Sequence, residues 1–119
     1  DVITFECASS SGKDLPLFAG LETTKKFAIG VVNHTNTVVE SPEQVAGLIR
    51  KALEFVPKER LIISTDCGFG REGISRRIAF HKCVSLVQGT NIVRRELGLP
   101  EAPVRAADPQ FAFSGPAGK

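Results

Sequence analysis

The run KFAIGVV (26–32) constrains this chain most, because it is apolar almost without interruption. A half-exposed strand alternates polar and apolar residues. A run without alternation is the mark of a strand buried on both faces, as in a parallel sheet covered by helices. Two more apolar strand patterns flank it: DVITFE (1–6) and, within RLIISTDC (60–67), Leu61, Ile62 and Ile63.

The segments between them read as helices. DLPLFAGL (14–21) is a short helix that Pro16 permits only near its start. After the loop NHTNTVVE (33–40), Ser41 caps a helix with Pro42 at its first position and Gln44 three residues after the cap. Val45, Leu48, Ile49, Ala52, Leu53 and Val56 follow at helical spacing, and Pro57 ends the element. A last helix is expected over 74–97, with Ala79, Cys83, Leu86 and Val87 as its buried stripe. Residues 98–119, punctuated by Gly and Pro, read as an extended tail, and GPAGK (115–119) as disordered or an artificial appendage.

Helical crossovers predict that strands 1–6, 26–32 and 60–66 are parallel neighbours in that order, with helices on one side. Such units fit a doubly wound sheet or part of a (β/α)8 barrel. A complete barrel takes about 250 residues, so 119 residues supply only part of one and leave two open sheet edges. The chain has no Met, and its first residue already lies in a strand pattern, which reads as a piece of something longer.

Composition narrows the function classes. Hydrophobic content of 42% and charged content of 24% suit one small globular domain. No apolar run approaches the roughly 18 residues of a membrane span, and no signal or transit pattern is visible. A net charge of +2 with interspersed signs argues against a nucleic-acid partner. Three cysteines without framework spacing point to a reducing, cytoplasmic setting.

Function in such folds collects at the carboxyl ends of the strands. Glu6 and Cys67 stand there, a carboxylate and a thiol of the kind that mixed zinc sites use. The strand tips that carry them should lie about two strand spacings, roughly 10 Å, apart. Each has a plainer reading: a salt bridge or loop cap for Glu6, a small buried thiol at a tight turn for Cys67. His34, at the same end of the middle strand, can act as an acid or a metal neighbour. Strand alternation points Cys7 to the opposite face, as a packing residue. Cys83 is expected in the core and His81 at the surface. A GxGxxG run, GFGREG (68–73), invites a nucleotide-binding reading. The strand before it turns polar four residues early and no acidic strand tip follows, so its glycines better serve a loop that brings Asp66, Cys67 and Arg71 around a ligand.

DVITFE, a G-V-V loop, and ESPEQVAGLIRKALEFVPKERLIISTDCGFG together resemble the carboxyl-terminal part of the cobalamin-independent methionine synthase family, supported by GTNIVRRELGLPE (89–101). The resemblance implies an α/β fold, the last three βα units of a (β/α)8 TIM barrel. Residues 1–110 would belong to the barrel and 111–119 to a tail. It implies Zn²⁺ held by a His-x-Cys pair, a Glu and a second Cys. Glu6 and Cys67 would be the last two, and the His-x-Cys pair would lie upstream or on another chain. The family's catalytic histidine falls one residue from His34, and its Asn-Pro before Asp-Cys-Gly is Ser64-Thr65 here, the mark of a divergent branch. The implied chemistry is alkylation of a small-molecule thiol: methyl transfer from methyltetrahydrofolate to homocysteine, or epoxide opening by coenzyme M in a related branch. His34 or Asp66 would be the proton donor. The remaining partner is the rest of the barrel.

Overall fold

The computed structural model describes residues 1–70 and 73–114. Strands β1 (Val2–Glu6), β2 (Lys26–Gly30) and β3 (Leu61–Ser64) form one parallel sheet in the order β1-β2-β3. The parallel arrangement and the strand order agree with the crossovers read from the sequence. The register aligns Glu6 with Gly30, and Gly30 with Ser64. Beyond the regular strands the ladder continues through Val31 N–H to Ser64 O (2.9 Å) and Asp66 N–H to Val32 O (2.9 Å). The tips of β2 and β3 are therefore held together past the last strand residue.

Helices cover one face of the sheet. Phe27, Ile29 and Val31 pack with Val45, Ile49, Ala52 and Val56 of helix α1 (Pro42–Leu53) and its C-terminal continuation, and with Val93 of helix α2 (Arg76–Glu96). Phe18 closes one end of this core, with its ring centroid 4.8 Å from Phe5 and 5.0 Å from Phe27. On the opposite face Val2, Thr4, Glu6 and Ile62 are exposed while Ala28 is buried, and along the edge strand β1 even Ile3 and Phe5, on the packed side, stay exposed. The outer edges of β1 and β3 have no strand partner among the described residues. Also among the described residues, no helix is long and apolar enough to cross a membrane.

α1 begins as its sequence dictates. Ser41 Oγ accepts from Gln44 N–H (3.1 Å), and Gln44 Oε1 accepts from Ser41 N–H (2.8 Å), a complete capping box. The expected helix over 14–21 is shorter, a 3-10 turn at Leu15–Phe18. α2 starts at Arg76 behind the cap Ser75, and its buried side is not the expected stripe. Cys83 is exposed, while Lys82, Val84, Ser85, Gly89, Asn91 and Val93 face inward. Of the expected stripe Leu86 does pack against the core, but most fully buried positions are polar or lack a side chain, so hydrophobic spacing alone misses them. Gly89 sits where the helices touch: a Cβ there would lie 2.6 Å from Val45 Cβ and 2.7 Å from Pro42 O. Arg50 bridges the same pair of helices through Glu96, with Nε to Oε1 at 2.9 Å, and holds the Glu96 carboxyl below its ordinary range.

The tail is folded rather than extended. Short 3-10 turns at Arg105–Ala107 and Pro109–Phe111 follow α2 and fold back toward it. Asn91 Oδ1 accepts from Ala102 N–H (2.9 Å), Gln88 Nε2 donates to Asp108 O (3.1 Å), and Arg105 stands 5.3 Å over the Phe111 ring. His81, expected at the surface, is half-buried, with its ring centroid 5.0 Å from that of Phe113. Residues 115–119 lie outside the described residues, as do Arg71 and Glu72.

The helix contact yields a paired prediction. Gly89→Ala should cost about 1–3 kcal/mol by overpacking. Gly47→Ala, on α1 with open space where the new methyl group would stand, should stabilise by about 0.5–1 kcal/mol. Denaturant unfolding of the two variants checks both signs.

Candidate metal centre

The strand tips deliver three side chains to one point. A ligating atom each from Glu6, His34 and Cys67 lies within 4.8 Å of the other two. Glu6 is the last residue of β1 and Cys67 follows the end of β3 by three residues. His34 comes from the loop after β2, so the central strand supplies the central residue. Glu6 and Cys67 are exposed and His34 half-buried. Glu6 thus needs no salt bridge to offset burial, since the open face leaves it in solvent.

The donor set suits a divalent transition metal. Thiolate, imidazole and carboxylate are all zinc ligands, and the thiolate selects against hard cations such as Mg²⁺. His34 Nδ1 is buried with no hydrogen-bond partner. An orphaned buried nitrogen is costly unless something pairs with it. Glu6 and Cys67 therefore fit such an ion as ligands, and the unpartnered ring nitrogen leaves His34 a group that can hold or give a proton beside it.

The loop that carries His34 is pinned from two directions. Asn33 Oδ1 accepts from Thr35 N–H (2.8 Å) and Thr35 Oγ1 (2.6 Å), which turns the chain around His34. Glu40 Oε2 accepts from Asn33 N–H (2.7 Å). The other Glu40 oxygen accepts from Lys82 Nζ (3.0 Å), which also donates to Asn36 Oδ1 (3.1 Å) and Val38 O (2.6 Å). Lys82 is fully buried, and these three oxygens satisfy its three donors. A lysine on a helix reads as a solvated face, so no sequence signal marks it.

Asp66 is buried, and both its carboxylate oxygens are taken by backbone. Oδ1 accepts from Cys7 N–H (3.0 Å) and Ala8 N–H (3.0 Å), and Oδ2 from Ser9 N–H (2.8 Å). Cys7 is buried as expected, and burial, then the charges of Asp66 and Asp14, pushes its thiol up to about 11. It is a neutral packing thiol at neutral pH. Of the GxGxxG run, Gly68 is exposed and Gly70 likewise, and Ser75, not a glycine, caps the following helix.

The family described as the catalytic domain of cobalamin-independent synthase matches residues 1–88. The chain belongs to that family. The methionine synthase of Thermococcus kodakarensis is 46% identical over 92 residues, 77% of this chain and 26% of that protein. The methionine synthase of Saccharolobus solfataricus is 42% identical over 97 residues, 82% of this chain and 29% of that protein. Among solved structures, a B12-independent methionine synthase from Shewanella sp. W3-18-1, in complex with selenomethionine, superposes with a TM-score of 0.71 at 33% identity, covering 82% of this chain and 27% of that one. The family resemblance read from the motifs is thereby borne out. The chain spans less than a third of the length of these family members.

Two predictions test the surroundings of the centre. Lys82→Met should destabilise the protein by about 3–5 kcal/mol, because it leaves Glu40 without its cation, read as a lowered unfolding midpoint. In the metal-free intact protein a thiol-alkylating reagent should modify Cys67 and spare Cys7, as located by peptide mass spectrometry.

Proposed function

We propose that this chain forms the last three βα units of a (β/α)8 barrel whose enzyme transfers a methyl group from methyltetrahydrofolate to the thiol of homocysteine. The convergence of Glu6, His34 and Cys67 at the strand tips carries the reading. The one-sided helices and the two open sheet edges support the barrel, as does the fraction of its relatives' length that the chain spans. The selenomethionine in the Shewanella protein is an analogue of the expected product. The three free cysteines suit a cytoplasmic enzyme.

In this reading Glu6 and Cys67 hold Zn²⁺, together with ligands contributed by the rest of the barrel. Bound there, the ion would supply the positive charge that keeps a substrate thiol deprotonated at neutral pH. His34 does the proton work. As the substrate sulfur bonds to the methyl carbon, the carbon–nitrogen bond of the donor breaks, and His34 hands a proton to the departing nitrogen. Its loop, fixed by Asn33, Glu40 and Lys82, keeps the ring beside Glu6 and Cys67.

The second reading, coenzyme M opening an epoxide, uses the same residues and rests on Ser64-Thr65 in place of Asn-Pro. Assaying the intact protein with both substrate pairs decides between them. Cys67→Ser should remove most zinc and nearly all thiol alkylation, while Cys83→Ser should keep both. Equal zinc in wild type and Cys67→Ser, by atomic absorption, would overturn the assignment. His34→Ala should retain zinc and slow transfer by about 10²–10⁴-fold; loss of zinc would make His34 a ligand.

A further inference from the structure

Asp66 ties together the two strand tips that carry Glu6 and Cys67. Its carboxylate leaves the end of β3, passes over Gly30 of β2, and accepts three successive N–H groups from Cys7, Ala8 and Ser9. Those residues directly follow Glu6, and Cys67 directly follows Asp66. Successive backbone N–H groups form a concavity suited to an anion, and here the anion comes from the chain itself. Asp66 is 5% exposed, and its own N–H is fixed to Val32 O at 2.9 Å. One residue thus connects all three tips.

The crossing needs the bare backbone at Gly30. A Cβ there would lie 2.7 Å from Asp66 Cα and 2.9 Å from Asp66 N, and would collide with Asp66 Oδ1. No side chain could stand at the end of the central strand without displacing the carboxylate.

We propose that Asp66 is a positioning residue that sets the spacing of Glu6 and Cys67, and through it the metal affinity of the centre; this rests on the reading of those two residues as ligands. With both oxygens engaged by N–H donors, its work is to accept hydrogen bonds, and the proton transfer falls to His34. Asp66→Asn keeps the size of the side chain but turns an NH₂ group toward one of the backbone donors. Gly30→Ala displaces Asp66 without altering its chemistry.

The experiment uses the intact protein and reads zinc affinity by chelator competition, the visible spectrum of the cobalt-substituted form, and thermal unfolding of the metal-free form. Asp66→Asn should weaken zinc binding about 10–100-fold and shift or weaken the thiolate-to-cobalt absorption. Gly30→Ala should do the same wherever it folds. Unchanged affinity with a lowered unfolding midpoint would overturn the proposal in favour of a purely structural role. Unchanged affinity and cobalt spectrum with a lowered turnover number would overturn it in favour of Asp66 as proton donor. Cys67→Ser in parallel separates the two levels: if it loses zinc while Asp66→Asn does not, the ligand reading stands and the clamp fails. If Cys67→Ser keeps zinc, the ligand reading itself fails, and the clamp with it.

Discussion

The carboxylate of Asp66, lying across Gly30, is the contact on which the arrangement of this chain's strand tips depends. Parallel strands deliver their carboxyl ends to one edge, but delivery alone leaves loops free to splay. Three charge-assisted hydrogen bonds close the gap between the first and third strands. Asp66 and Cys7 are buried, and the low dielectric there strengthens the bond between them most; the bonds to Ala8 and Ser9 are part-buried. Glu6 and Cys67 then lie on either side of the clamp, with His34 between them.

A second buried charge does comparable work one loop away. Lys82 gives all its donors to the segment Asn36–Glu40, and Glu40 passes the constraint to Asn33. Both devices place an ionised group inside the protein and satisfy it fully. Such groups are poor sources of net stability, but removing one partner is costly because it strands the other. Here they specify loops rather than the hydrophobic core, which the packing of Phe27, Ile29 and Val45 already defines.

This division explains what was legible in the sequence. The strands, their parallel order and the start of α1 follow from local patterns: an uninterrupted apolar run, crossover helices, a capping box. That Glu6, His34 and Cys67 would meet was legible because parallel strands bring their carboxyl ends to one edge, and the structure places one N, O or S atom of each within 4.8 Å of the others. The buried face of α2 was not, since Lys82, Ser85, Gly89 and Asn91 are the residue types that usually mark a solvated face or a break. Cys83, apolar by type, was drawn into the core by the same rule and lies outside it. The folded tail depends on Asn91 and Gln88 meeting backbone more than ten residues away, and the place of Asp66 on a contact 57 to 59 residues distant. No local pattern records either.

The central claim is that one metal ion sits where Glu6, His34 and Cys67 converge. Anomalous diffraction at the zinc absorption edge, on crystals of the intact protein, tests it most directly. The expected result is a single strong peak about 2.3 Å from Cys67 Sγ and about 2.0–2.2 Å from a Glu6 carboxylate oxygen. A zinc-loaded crystal whose peak lies elsewhere, out of reach of both side chains, would contradict the account.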